Sequence, residues 1–147
     1  MFNINQYDSY SFVFDGVLSD EVNGVLNPHK EYMQKLFEEL VNKNKSVYIF
    51  TKRWSEDDVY NRRSKFLPEN KKQEYLAIKD FISKYPKISN NIVVYTAGNS
   101  YYSYISDNNN HCHFESSNYE KALFNTYRPS IKIININQEN WKNEHDN

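Results

Sequence analysis

The chain has one cysteine, three glycines and four prolines among its 147 residues. A single thiol, Cys112, excludes an intramolecular disulfide framework. None is needed, because a domain of this length buries about two-thirds of its unfolded surface. Long apolar runs are missing, and no stretch approaches the roughly 20 residues of a membrane span. The start, Met1 to Asp8, has neither the basic residues nor the apolar stretch of a secretory signal. The expectation is a cytoplasmic protein, of a cell or host cell, without membrane contact. Excess charge is missing too: 18 Lys and Arg stand against 19 Asp and Glu, for a net charge of -1. That argues against the general electrostatic grip that nucleic acid requires. Internal repeats and long linkers are absent, so one domain is expected over 1–137, with a polar surface tail at 138–147.

Asn, Lys, Ile, Tyr and Phe are abundant, making up 68 of the 147 residues. All have AT-rich codons, so the excess reads as a genome bias, and it suits a protein encoded by a virus or mobile element. It also weakens arguments from the number of Asn or Tyr. The three glycines, at 16, 24 and 98, are correspondingly informative.

Strand-like and helix-like segments alternate. Ser11–Phe14 is a short apolar run closed by Asp15-Gly16, a buried strand entering a turn. Asn27-Pro28 reads as a cap and first helical residue. Met33, Leu36, Phe37, Leu40 and Val41 then form one face of a helix ending near Lys43-Asn44. Val47–Thr51 is a second strand. Ser55 with Glu56, Asp57 and Asp58 starts a short helix expected to reach about Phe66. Pro68 interrupts, and a longer helix is expected from Glu69 to Tyr85. Asn91–Thr96 is a third strand, followed by a short helix over Ser100–Ser106. His111–Phe114 is a weaker fourth strand, Tyr119–Asn125 a short helix and Ile131–Ile136 a last strand. This alternation predicts a three-layer α/β/α sandwich on a mainly parallel, Rossmann-like sheet. Ligands in such folds sit beyond the carboxyl ends of the strands. Attention therefore falls on Asp15-Gly16, Thr51-Lys52-Arg53, Thr96-Ala97-Gly98 and Glu115-Ser116.

Val13-Phe14-Asp15-Gly16-Val17-Leu18-Ser19-Asp20 resembles the first motif of the haloacid dehalogenase superfamily. The helix from Asn27 to Lys45, leading to Val47–Thr51, resembles that family's next section, where a strand ends in the second-motif Thr or Ser. The resemblance follows most of the chain in element order and is most specific over 12–53. It implies a nucleophilic Asp that forms an aspartyl-phosphate, and an acid/base Asp two residues later. It further implies a Thr or Ser and a Lys on the phosphoryl oxygens, with paired acids holding Mg²⁺. Here Val13 stands at the nucleophile position and can neither attack nor ligate a metal. Asp15 is kept at the acid/base position and Thr51 at the second motif. The later motifs admit two registers. In one, Thr96–Ser100 replaces the metal-binding stretch, with Asn99 as its neutral substitute. In the other, which keeps the strands in family order, Tyr101 or Tyr102 stands where the Lys would be, and His113–Ser116 replaces the strand ending in two acids. Both registers lose the acid pair.

The expectation is a catalytically degenerate domain, a pseudoenzyme without a cofactor, which works by binding another protein or its own copies. The alternative is a Mg²⁺-dependent phosphohydrolase acting on a nucleotide or other small phosphomonoester. It would use Asp15 as base, with Glu115 or Asp20 aiding a metal. Asp15 and Thr51 are the vestigial catalytic candidates; Thr51, Lys52 and Arg53 are the phosphate-binding candidates; Asp15 and Glu115 are the weak metal candidates. Each has a plainer role. Asp-Gly is a common turn pair, and Lys52-Arg53 can be solvated charges at a strand end. Arg62, Arg63 and Lys65 add positive charge that Glu56, Asp57 and Asp58 largely cancel, so no nucleic-acid patch is expected. His111 and His113 share a strand face with Cys112 opposite, which is at best half a zinc site. Tyr101, Tyr102 and Tyr104 can line a pocket or an interface, or simply pack. No cap domain is evident, because 53–90 reads as crossover helices.

Overall fold

The computed structural model describes residues 2–61, 69–88, 92–138 and 141–143. Five strands form one sheet: β1 (Ser9–Val13), β2 (Ser46–Thr51), β3 (Val93–Tyr95), β4 (His111–Glu115) and β5 (Lys132–Asn135). Their order is β3-β2-β1-β4-β5, and every pairing is parallel. Four α-helices accompany them: α1 (Lys30–Asn42), α2 (Glu56–Tyr60), α3 (Glu69–Ser83) and α4 (Asn118–Tyr127). This is the expected Rossmann-like α/β sandwich. The chain lays down β1, β2 and β3 in one direction, then crosses back to place β4 and β5 on the other side of β1. The strand order therefore reverses between β1 and β4, and a crevice opens at their carboxyl ends.

Side-chain alternation sorts β1 into two faces. Tyr10 and Phe12 face α1 and α3: the Phe12 ring stacks on Phe114 at 4.8 Å and meets Phe37 of α1 edge-on at 5.4 Å. The α1 stripe of Met33, Leu36, Phe37, Leu40 and Val41 is buried in full. That helix stops where Asn44 turns left-handed at φ 61°. The Asn44 and Lys45 N–H groups then return to the carbonyls of Val41 and Leu40, a Schellman cap. Ser9, Ser11 and Val13 point to the other face, which α4 covers with Phe124 packed on His113.

Four local expectations are corrected. Asn27-Pro28 does not start α1, whose N-cap is His29. The Asn27 side chain is committed elsewhere: its amide donates to the carbonyls of Val17 and Ser19, and its Oδ1 accepts from the His29 N–H. The helix expected over Ser100–Ser106 is a single 3₁₀ turn, Tyr101–Tyr104. In the tail, Trp141 is not a surface residue. Its indole N–H donates to the Ile136 carbonyl, and its ring packs on Phe2 and Phe114. The fourth correction concerns the short helix expected to reach about Phe66, which ends at Tyr60 with Asn61 as its C-cap. The cations Arg62, Arg63 and Lys65, Pro68 and the strand start at Asn91 lie outside the described residues.

Candidate functional site

At the β1/β4 crevice lies a cavity of about 290 Å³, lined by Val13, Asp15, Glu21, Lys52, Tyr101, Glu115 and Glu120 among others. A larger cavity of about 440 Å³, lined in part by Ser9 and His111, holds only Asp107 as a carboxylate. The smaller one is the better candidate, because it sits at the strand-order reversal and gathers four carboxylates.

Three strand ends, those of β1, β2 and β4, contribute one part each. β1 ends in Val13 on the cavity side, then turns through Asp15-Gly16. Gly16 suits this turn: its φ of +83° is one that other side chains rarely adopt, and a Cβ would displace the Glu21 and Ser116 side-chain ends. The next residues form a tight turn closed by Glu21 N–H on the Val25 carbonyl at 3.2 Å and Gly24 N–H on the Glu21 carbonyl at 2.9 Å. That turn carries Glu21 and Val22 to the cavity wall.

β2 ends in Thr51-Lys52-Arg53, and the three side chains separate. Thr51 is fully buried, and its Oγ1 accepts from the Arg53 N–H at 3.1 Å. Arg53 turns onto Asp15: Nε donates to both carboxylate oxygens at 3.1 Å, and Nη2 donates to Oδ1 at 2.5 Å. Nη1 donates to the Glu74 carbonyl of α3, and the guanidinium lies over the Phe14 ring. Asp15 is thus held by a planar fork that matches a carboxylate. Lys52 reaches across to Glu120 Oε1 at 2.7 Å, with its Nζ 5.2 Å from the Tyr101 ring centre.

β4 ends in Glu115, which terminates a buried polar chain. Register places Ser9 beside His111 and Ser11 beside His113. Ser9 Oγ bonds His111 Nδ1 at 2.6 Å, Ser11 Oγ bonds His111 Nε2 at 2.8 Å and His113 Nδ1 at 2.5 Å, and His113 Nε2 meets Glu115 Oε1 at 3.2 Å. A carboxylate can only accept, so His113 Nε2 donates to Glu115. In the arrangement with one proton on each imidazole, Ser11 donates to His113, His111 donates to Ser11, and Ser9 donates to His111, so that every bond in the chain points toward Glu115. Burial, and secondarily the nearby His113, push the His111 pKa down to about 3, so its ring stays neutral. Glu115 Oε2 also accepts the N–H groups of Ser116 and Ser117.

Sequence reasoning missed Glu120 and Glu21. Ser117 and Glu120 have the spacing of a capping box. Only the forward half forms, with the Glu120 N–H donating to Ser117 Oγ. The Ser117 N–H that Glu120 would have bonded is taken by Glu115, so the Glu120 side chain swings to Lys52. Its Oε2 is buried and has no hydrogen-bond partner among the described residues. Glu21 sits near Asp15 and Glu115; partial burial, then those two charges, raise its pKa above the usual carboxylate value. Burial, then Glu115 and Glu120, raise the Tyr101 hydroxyl as well.

The structure therefore brings Val13, Asp15, Lys52, Tyr101 and Glu115 to one cavity, with Arg53 behind Asp15. Thr51 faces its own loop. Tyr102 is elsewhere, stacked on Tyr127 at 4.6 Å. Asp20 bonds the Asn27 N–H and Lys30, which lower its pKa. Among the described residues, no three His, Cys, Asp or Glu side chains are grouped so that they could hold a metal ion. No described helix is long and apolar enough to cross a membrane.

What fold and site define is a Rossmann-like α/β domain with a carboxylate-rich cavity at its strand-order reversal. No protein-family model matches the chain, and no curated protein or solved structure matches it either.

Proposed function

We propose that the protein is a haloacid dehalogenase-like domain whose site has lost its chemistry and that it works by binding a protein partner. The observation that carries this reading is the pairing of Val13 with a locked Asp15. Val13 offers the cavity a hydrocarbon wall where the covalent path needs a carboxylate. Asp15 has both oxygens engaged by Arg53, which is itself anchored on Glu74 and Phe14. A base must be within reach of the proton that it takes, and this one faces a guanidinium. The position of β4 beside β1 supports the register in which Glu115-Ser116 replaces the paired acids and Tyr101 replaces the lysine. Mg²⁺ does not fit these residues. Val13 is no ligand, Asp15 is occupied, and Glu115 already accepts two backbone N–H groups and the His113 ring.

Isothermal calorimetry with Mg²⁺, alone and with inorganic phosphate, tests this reading. No saturable heat is expected from the wild-type protein. Saturable Mg²⁺ binding that disappears in Asp15→Asn overturns the reading in favour of a metal-dependent phosphohydrolase.

A further inference from the structure

The cavity has an imbalance of charge that the fold leaves unmet. Of its four carboxylates, Asp15 is matched by Arg53, and Glu115 by two backbone N–H groups and His113. Glu120 receives Lys52 on Oε1 only. Glu21 makes no ion pair or hydrogen bond through its side chain among the described residues. Two carboxylate oxygen sets are thus left without a donor, and one of them, on Glu120, belongs to a side chain only 3% exposed. A buried charged oxygen without a donor costs free energy that an incoming donor recovers.

The walls say what shape that donor takes. Metal ligation needs carboxylates drawn together, whereas these are held apart by their separate partners. An ammonium or guanidinium on a hydrocarbon stem suits separated carboxylates, and Val13, Val22, Tyr101 and Tyr119 supply apolar wall for such a stem. The rim adds a second observation. Val22, Val25 and Leu26 lie on the turn that carries Glu21 and are 54%, 54% and 83% exposed, while Tyr119, on the α4 side, is 70% exposed. Two of these, Val22 and Tyr119, line the cavity itself, and exposed apolar side chains rimmed by polar groups are a feature of protein-docking surfaces. A free amine would leave this rim bare, and a phosphate would meet carboxylate repulsion.

We propose that the cavity and its overhanging turn are a docking site for a basic side chain presented on an apolar segment of a partner protein. The lysine or arginine head enters between Glu21 and Glu120, and its apolar neighbours cover Val22, Val25 and Leu26. This deepens the binding reading above and rests on it.

The test is a titration of ¹⁵N-labelled protein followed by amide chemical shifts. The probes are a capped glycine–leucine–lysine–leucine–glycine peptide, its norleucine-for-lysine counterpart, n-butylammonium and inorganic phosphate. The lysine peptide is expected to shift the amides of Glu21, Val22, Ser116, Ser117 and Glu120 saturably. It should bind about tenfold more tightly than the norleucine peptide, and more tightly than n-butylammonium. Glu21→Gln, on the exposed turn, should weaken the lysine peptide about fivefold without altering the spectrum elsewhere; Glu120→Gln should weaken it from the buried side, with further shifts confined to the surroundings of its partner Lys52. Equal binding of the two peptides, no shift with either, n-butylammonium binding as tightly as the peptide, or phosphate shifting these amides instead overturns the docking site. Those results leave the non-catalytic reading standing, whereas Mg²⁺ binding lost in Asp15→Asn overturns that reading whatever the peptides do.

Discussion

Arg53 decides what Asp15 can be. Arg53 and Asp15 have side chains only 8% and 15% exposed, so both charges are largely withdrawn from water and depend on each other. Removing the cation alone strands a carboxylate in a low-dielectric setting, which costs more than the pair itself contributes. Arg53→Met is therefore expected to lower stability by about 3 kcal/mol, measured by urea unfolding. A change within a few tenths of a kcal/mol would show that water reaches Asp15 freely. Asp15 was legible in the sequence because an Asp-Gly after an apolar strand is locally distinctive. Its partner was not: Arg53 reads from sequence as one of three polar residues at a strand end. Only the fold shows that Thr51 bonds its own loop, Lys52 turns to α4 and Arg53 turns back to β1.

Among the elements, β1 and β4 carry the most information. Their parallel register turns Ser9, Ser11, His111 and His113 into a single file of donors ending on Glu115. That His111 and His113 share a face followed from strand periodicity alone. That two serines about a hundred residues away complete the file did not, because a single sequence does not display strand register. The Glu120 role was hidden for a related reason, since its Ser-x-x-Glu spacing is also that of an ordinary capping box. The file has a consequence for pH. Unfolded, His111 takes a proton near pH 6.5; folded, not until about 3. The unfolded chain therefore binds more protons across that window, and stability falls as pH drops from 6.5 toward 3. His29, lowered by burial and by Lys142, acts with the same sign. Melting temperatures measured between pH 6.5 and about 5, above the ordinary carboxylate range, should fall for the wild type, and less steeply for His111→Asn. Identical slopes would contradict a neutral, buried His111.

For the whole molecule, strand–helix alternation made the parallel sandwich readable. Near-continuous apolar strands need cover on both faces, and right-handed crossovers leave few ways to provide it. What alternation could not show is the closure at the chain's end. The segment after Asn137 is polar by composition, yet Trp141 reaches back under Phe2 and beside Phe114, 4% exposed. Trp141→Ala is expected to cost about 3 kcal/mol, read as a lower denaturation midpoint. A surface-attached tail would show almost no change. The same scale sets the central functional proposal: one Rossmann-like sheet brings the ends of β1, β2 and β4 to a single cavity, and that cavity is proposed to bind rather than turn over. The most direct test is hydrolysis of p-nitrophenyl phosphate and a panel of nucleoside monophosphates, with and without Mg²⁺, beside Asp15→Asn. The account predicts no turnover above the variant under any condition. Metal-dependent hydrolysis that Asp15→Asn abolishes would contradict it.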